Sequence, residues 1–127
     1  MVQFYVREYT MTTDGWLNVL EVVLGAILWM MYGTFGATTP SEQFLCSCAS
    51  IFATNGFFFL MSSIMSVPTA LTLPRLFYYT LFHLGAAVCY ISGGVATVGN
   101  ASIIDGIVAI ACGVLHLAQF IYSLIEN

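Results

Sequence analysis

Along this chain the polar positions gather into a few short clusters separated by long apolar runs. The eight charged residues are Arg7, Glu8, Asp14, Glu21, Glu42, Arg75, Asp105 and Glu126. They leave uncharged stretches at 22–41, 43–74, 76–104 and 106–125, each twenty residues or longer. A helix of about 20 apolar residues crosses a hydrocarbon core about 30 Å thick, so each stretch can span a bilayer. The pattern predicts four membrane helices at about 16–35, 44–66, 76–98 and 106–125. Thr12, Thr13 and Asp14 are suited to cap the first. Gly33, Gly36 and Pro40 mark its exit, and Pro68 and Pro74 bracket the second connection. Gly99, Asn100 and Ala101 are read as a tight turn, with Asp105 capping the fourth helix. Connections this short force neighbouring helices to run antiparallel. The expected fold is all-α: one antiparallel four-helix membrane bundle over residues 1–127.

Composition strengthens this picture. Charged residues make up 6% of the chain, where a soluble domain would carry about a quarter. The mean hydropathy of +0.94 leaves no room for a sizeable water-soluble domain. Two arginines and no lysine provide no basic footprint for nucleic acid. The first fifteen residues lack an apolar stretch followed by a small-residue cleavage site, so the first helix is expected to serve as its own insertion signal. Arg7 precedes the first helix and Arg75 lies between the second and third. Positive charge favours the cytoplasmic side, which predicts that both termini are cytoplasmic. The expected location is a multi-pass position in the plasma membrane or an endomembrane. Asn100-Ala101-Ser102 matches the glycosylation sequon but would lie almost against the membrane, so it is read as a chance match.

Polar residues inside the predicted spans are the candidate chemistry. Glu21 is the one charge clearly within a span, and an intramembrane carboxylate is costly unless paired, protonated or wetted. Asn18, one turn earlier, is placed to hydrogen-bond to it. His83, His116 and Gln119 fall at broadly similar depths on the third and fourth helices, with Asn55 near the middle of the second. One reading is a proton- or cation-coupled site with Glu21 as the carrier, since a lone carboxylate in the first of four helices is also how small multidrug transporters are built. The residues around Glu21 do not match a drug-transporter first helix, however. The other reading is an interhelical hydrogen-bond cluster that fixes the packing, each bond contributing about 0.6 kcal/mol.

Small residues supply a second clue. Ala49-xxx-Ala53, Ser50-xxx-Thr54 and Ala109-xxx-Gly113 match the small-xxx-small pattern that lets helix backbones approach closely. Gly85, Ala86, Ala87, Gly93 and Gly94 offer a similar face on the third helix. Trp29, Phe57, Phe58, Phe59, Tyr78, Tyr79 and Phe120 are expected to face lipid or another protein. Tyr9, Trp16 and Tyr122 are expected to be interfacial anchors. The four cysteines read as inert packing: Cys46 and Cys48 point to different helix faces, and no second ligand pair suggests zinc. No soluble-enzyme motif is present, so no catalytic residues are assigned. Haem ligation by His83 and His116 is the one cofactor arrangement to weigh. Lone histidines of this kind ordinarily pack, so no cofactor and no metal are expected.

Several segments together resemble the MARVEL-type tetraspan proteins of vesicles and cell junctions, most of all the short invertebrate smooth-septate-junction (snakeskin-like) members. They are residues 16–21 (WLNVLE), 82–94 (FHLGAAVCYISGG), 106–113 (GIVAIACG) and 120–125 (FIYSLI). The resemblance implies a non-enzymatic role, organising membrane or accompanying a larger membrane protein. The outer loops are shorter than in claudins and lack their Trp and paired-Cys signature. The partners expected are therefore the bilayer and, laterally, another membrane protein or copies of this chain.

Overall fold

Each long helix begins where a side chain can satisfy its first free amides. The computed structural model describes residues 5–100 and 102–126, and among these every regular element is helical. A short helix α1 (Val6–Thr10) precedes α2 (Thr13–Phe35) and α3 (Pro40–Met65). A second short helix α4 (Val67–Thr72) and a 3-10 turn at Leu73–Arg75 lead into α5 (Phe77–Asn100) and then α6 (Ile103–Glu126). The helices α2, α3, α5 and α6 are each long and apolar enough to cross a membrane.

The four spans agree with the apolar pattern, but three of their starts move, each for a capping reason. Thr12 caps α2 by accepting from the Gly15 amide at 2.9 Å, which leaves Asp14 inside the first turn. Pro40 is the first residue of α3 rather than part of an exit. Thr39 caps that helix, and Glu42 bonds back to the Thr39 amide in a capping box. Glu42 is thus helical rather than a loop charge. Asp105 also lies within its helix, and its amide approaches Ser102 Oγ at 3.5 Å. The second connection is not open loop, because Ser66 caps α4 and Pro68 sits in its first turn. Gly99 and Asn100 close α5, while Ala101 of the expected turn lies outside the described residues.

In lipid, helices associate by close packing rather than by the hydrophobic effect, so small residues set the spacing. A Cβ added at Gly94 would lie 2.8 Å from the Gly106 carbonyl oxygen, and one added at Gly113 would lie 3.1 Å from the Ile91 amide. The backbones of α5 and α6 therefore touch. Gly25 of α2 meets Ala53 of α3, and Gly93 of α5 receives Leu45 of α3. Leu28, Tyr32, Leu45, Cys48, Ala49, Ala86, Tyr90, Ala109 and Cys112 form the buried apolar cluster. Most of the predicted small residues, Ala49, Ala53, Gly93, Gly94, Ala109 and Gly113, are thus consumed inside the bundle, whereas Thr54 is exposed and Ser50 half-buried. All four cysteines are free thiols.

Two aromatic expectations are corrected. Tyr79 is fully buried, not lipid-facing, and Tyr9 is buried, not an interfacial anchor. Both hydroxyls find a buried acceptor, which is what a tyrosine requires when it turns inward. Trp29, Phe57, Phe58 and Tyr78 do face outward, as does Trp16.

Candidate functional site

Three helices carry inward polar stripes at helical spacing, and the bundle brings these together. On α2 the stripe is Asp14, Asn18 and Glu21; on α5 it is Tyr79, Thr80 and His83; on α6 it is His116, Gln119 and Ser123. All nine are buried. They sort into two layers along the bundle.

The outer layer is built on Asp14. Its carboxylate accepts from Tyr9 at 3.0 Å and from Tyr79 at 2.9 Å, and Gln119 Nε2 also donates to it. Asn18 Nδ2 lies 2.7 Å from the Tyr9 hydroxyl and 3.0 Å from that of Tyr79. One buried carboxyl group thus collects donors from α1, α5 and α6. This network gives α1 a reason to fold back over the end of the bundle. Burial and the adjacent Asp14 carboxylate push the Tyr9 hydroxyl above the usual phenol range, so it remains a donor. Next to this layer Thr80 and Ser123 share a hydrogen bond at 2.6 Å, and Ser123 donates to the Pro74 carbonyl at 2.6 Å. A cleft of about 270 Å³ opens beside it, with Glu8, Asp14, Arg75 and Tyr122 among its lining residues.

The inner layer is Glu21, His83 and His116. The two histidine Nδ1 atoms are 2.9 Å apart, and each lies 3.5 Å from Glu21 Oε2. At that separation one ring donates and the other accepts, so the pair holds a single proton between them. Glu21 Oε1 and His83 Nε2 have no hydrogen-bond partner. Aromatic rings enclose the group. Tyr90 stacks on His116 with centroids 5.6 Å apart, and Tyr79 meets His83 edge-on at 4.4 Å. Phe82 packs against both imidazoles.

The predicted polar cluster therefore splits. Glu21, His83 and His116 converge as one centre. Asn18 and Gln119 do not join them and instead serve Asp14 and Tyr79. Asn55 belongs to neither layer: it is half-buried, and its amide donates to the Ile51 carbonyl of its own helix at 2.9 Å. Sequence reasoning missed Asp14, Tyr9 and Tyr79. The spacing of Asp14, Asn18 and Glu21, on one helical face, was the signal that points to Asp14.

The outward face of α5 is organised in a different way. Leu81, Gly85, Val88, Ser92, Val95 and Gly99 recur at intervals of three and four residues, so they form one stripe along the helix. Leu81, Val88 and Val95 are each more than half exposed, and nothing lies within 4 Å of a Cβ added at Gly85 or Gly99. Ser92 turns its hydroxyl back to the Val88 carbonyl at 2.7 Å, so the stripe presents no free polar group there.

No family model, no curated protein and no solved structure matches this chain. Its function has to be read from the two layers and the outward stripe.

Proposed function

We propose that this chain is a non-catalytic tetraspan membrane protein that works by lateral helix–helix association. It joins copies of itself or a larger membrane protein, as an accessory subunit or as an organiser of junction or vesicle membrane. The observation that carries this reading is the outward stripe of α5. Its small residues Gly85, Ser92 and Gly99 lie seven apart with valines between them, an arrangement that admits a second helix backbone at close range. Gly25, Gly56, Gly93, Gly94, Gly106 and Gly113 are already used within the bundle, whereas Gly85 and Gly99 are open.

The topology proposed is up-down-up-down with both termini cytoplasmic. Pairings between α5 and α6 support antiparallel packing: Thr80 meets Ser123, His83 meets His116, and Gly94 meets Gly106. The Tyr5 amide bonds to the Ile64 carbonyl, and Glu8, Arg75 and Tyr122 line one cleft. These contacts support one common end for the N-terminal segment, the second connection and the close of α6. Arg7 and Arg75 flank that end, and the positive-charge bias directs it to the cytoplasm. The same topology and the scarcity of outer-loop surface agree with the MARVEL-type resemblance.

Cysteine cross-linking in native membranes tests the association. Ser92→Cys should give oxidant-induced cross-linked species, while Val114→Cys, on the exposed face of α6, should match the wild-type background. Equal yields at the two positions would remove the α5 face from consideration. A second reading, a small proton- or cation-coupled transporter with Glu21 as carrier, is favoured by the convergence of Glu21 with two histidines. Its test is proton-linked flux in reconstituted vesicles, which Glu21→Gln should abolish while the fold persists.

A further inference from the structure

The inner layer poses a charge problem that association does not address. Asp14 and Glu21 are both buried carboxylates, while the chain's two basic side chains, Arg7 and Arg75, are both exposed. Buried charges are paired or coordinate metals. Asp14 is satisfied by three neutral donors, but Glu21 has only the two histidines and an unpartnered Oε1.

The geometry points to a buried binding site for a first-row divalent cation, held by Glu21 Oε2, His83 Nδ1 and His116 Nδ1. These three atoms are separated by 2.9, 3.5 and 3.5 Å. Ligands about 2.0–2.1 Å from a tetrahedral ion stand about 3.3 Å from one another, so the triangle matches one face of that tetrahedron. Glu21 Oε1 has no hydrogen-bond partner, so it is free to supply a fourth donor by making the carboxylate bidentate. Two imidazoles and one carboxylate suit a borderline cation such as Zn2+ rather than Mg2+ or Ca2+, which take oxygen ligands.

The surroundings fit the same purpose. Three ligands come from three helices, so a bound ion would tie α2, α5 and α6 together. Tyr79, Phe82, Tyr90 and Phe52 wall the centre with aromatic rings and keep water from competing for the ion. A divalent charge would also neutralise Glu21 and Asp14 together, with Tyr79 touching both His83 and the Asp14 carboxylate. A cleft lined by Asp14 and Arg75 opens beside the outer layer.

The test uses the full chain in mild detergent, stripped with a chelator and titrated with Zn2+ against a chromogenic competitor. We expect one Zn2+ per chain. His83→Gln and His116→Gln should each weaken binding beyond the roughly 10- to 100-fold that a lost supporting partner costs. Retention of wild-type affinity in the double variant would overturn the site, as would a wild-type protein that takes up no ion. Co2+ loading of the wild type supplies a measurement independent of any variant's folding. Intense visible bands of a tetrahedral nitrogen–oxygen site support the assignment, and weak octahedral-type bands overturn it.

Discussion

Replacing Gly94 with alanine adds one methyl group where two helix backbones meet. The new Cβ would lie 2.8 Å from the Gly106 carbonyl oxygen, 2.8 Å from Ile110 Cγ1 and 3.1 Å from the Ile110 amide nitrogen. Two of those three atoms are backbone, which cannot swing aside. Carbon contacts are comfortable at about 3.5 Å or more, so α5 and α6 would have to part by roughly 0.7 Å. Overpacking of this kind costs about 1–3 kcal/mol. Alanine also gains about 1 kcal/mol of helix propensity over glycine, which hides part of the penalty. Gly85→Ala separates the two effects, because nothing lies within 4 Å of its added Cβ. Both variants gain the propensity term, and only Gly94→Ala meets a wall. The difference between them should therefore be the overpacking cost alone, about 1–3 kcal/mol, with Gly94→Ala the less stable. Reversible unfolding in detergent micelles, followed by the fluorescence of Trp16 and Trp29, measures it. A difference below about 0.5 kcal/mol, the scatter of ordinary surface substitutions, would refute backbone contact between α5 and α6.

Three further outcomes concern polar residues of the bundle. Tyr79→Phe removes the hydroxyl that donates to Asp14 and contacts Asn18 and Gln119, and should cost about 1–3 kcal/mol in the same unfolding assay. Asn55→Leu should be neutral or stabilising by that measure, since Asn55 bonds only within its own helix. Tyr9 concerns alkaline pH: its hydroxyl is raised above its ordinary value of 10.0 by burial first and by Asp14 second. The protonated form is the stabilising one, so its contribution is complete below pH 10.0 and is lost as pH rises toward the folded value. Tyr9→Phe should therefore flatten the fall in stability above that pH, and an unchanged alkaline limb would contradict the burial of the Tyr9 hydroxyl beside Asp14.

The spans were legible because an uncharged run of twenty residues has few alternatives, and helix starts moved only where capping chemistry was richer than apolar periodicity reveals. Thr39 and Glu42 form a capping box readable in the sequence, yet Pro40 between them looks like a terminator unless its place at the first helical position is considered. The candidate centre was half legible. Glu21, His83 and His116 stood out as polar residues in apolar runs, but their convergence depends on the rotation of three helices. Rotation is set by which small residues meet, such as Gly94 with Gly106, and several faces of α5 offered small residues. Gly85 and Gly94 are alike in sequence; the first opens outward and the second touches α6.

Asp14 was hidden for a more general reason. An acidic residue just before an apolar run reads as a helix cap and boundary charge; of its two neighbours in the bundle, Tyr9 reads as an interfacial anchor and Tyr79 as a residue facing lipid or another protein. Each reading is sound for the residue alone. Together they are mutually exclusive with what the bundle achieves, because a carboxylate at the end of α2 can turn inward only if hydroxyl and amide donors arrive from other helices. Two of those donors are the tyrosines that would otherwise sit at the membrane surface or face lipid. A charge at the edge of a membrane span is therefore a boundary marker only when no tyrosine, asparagine or glutamine can reach it from a neighbouring helix. In this chain three such residues do, and the apparent boundary becomes the outer wall of the buried centre.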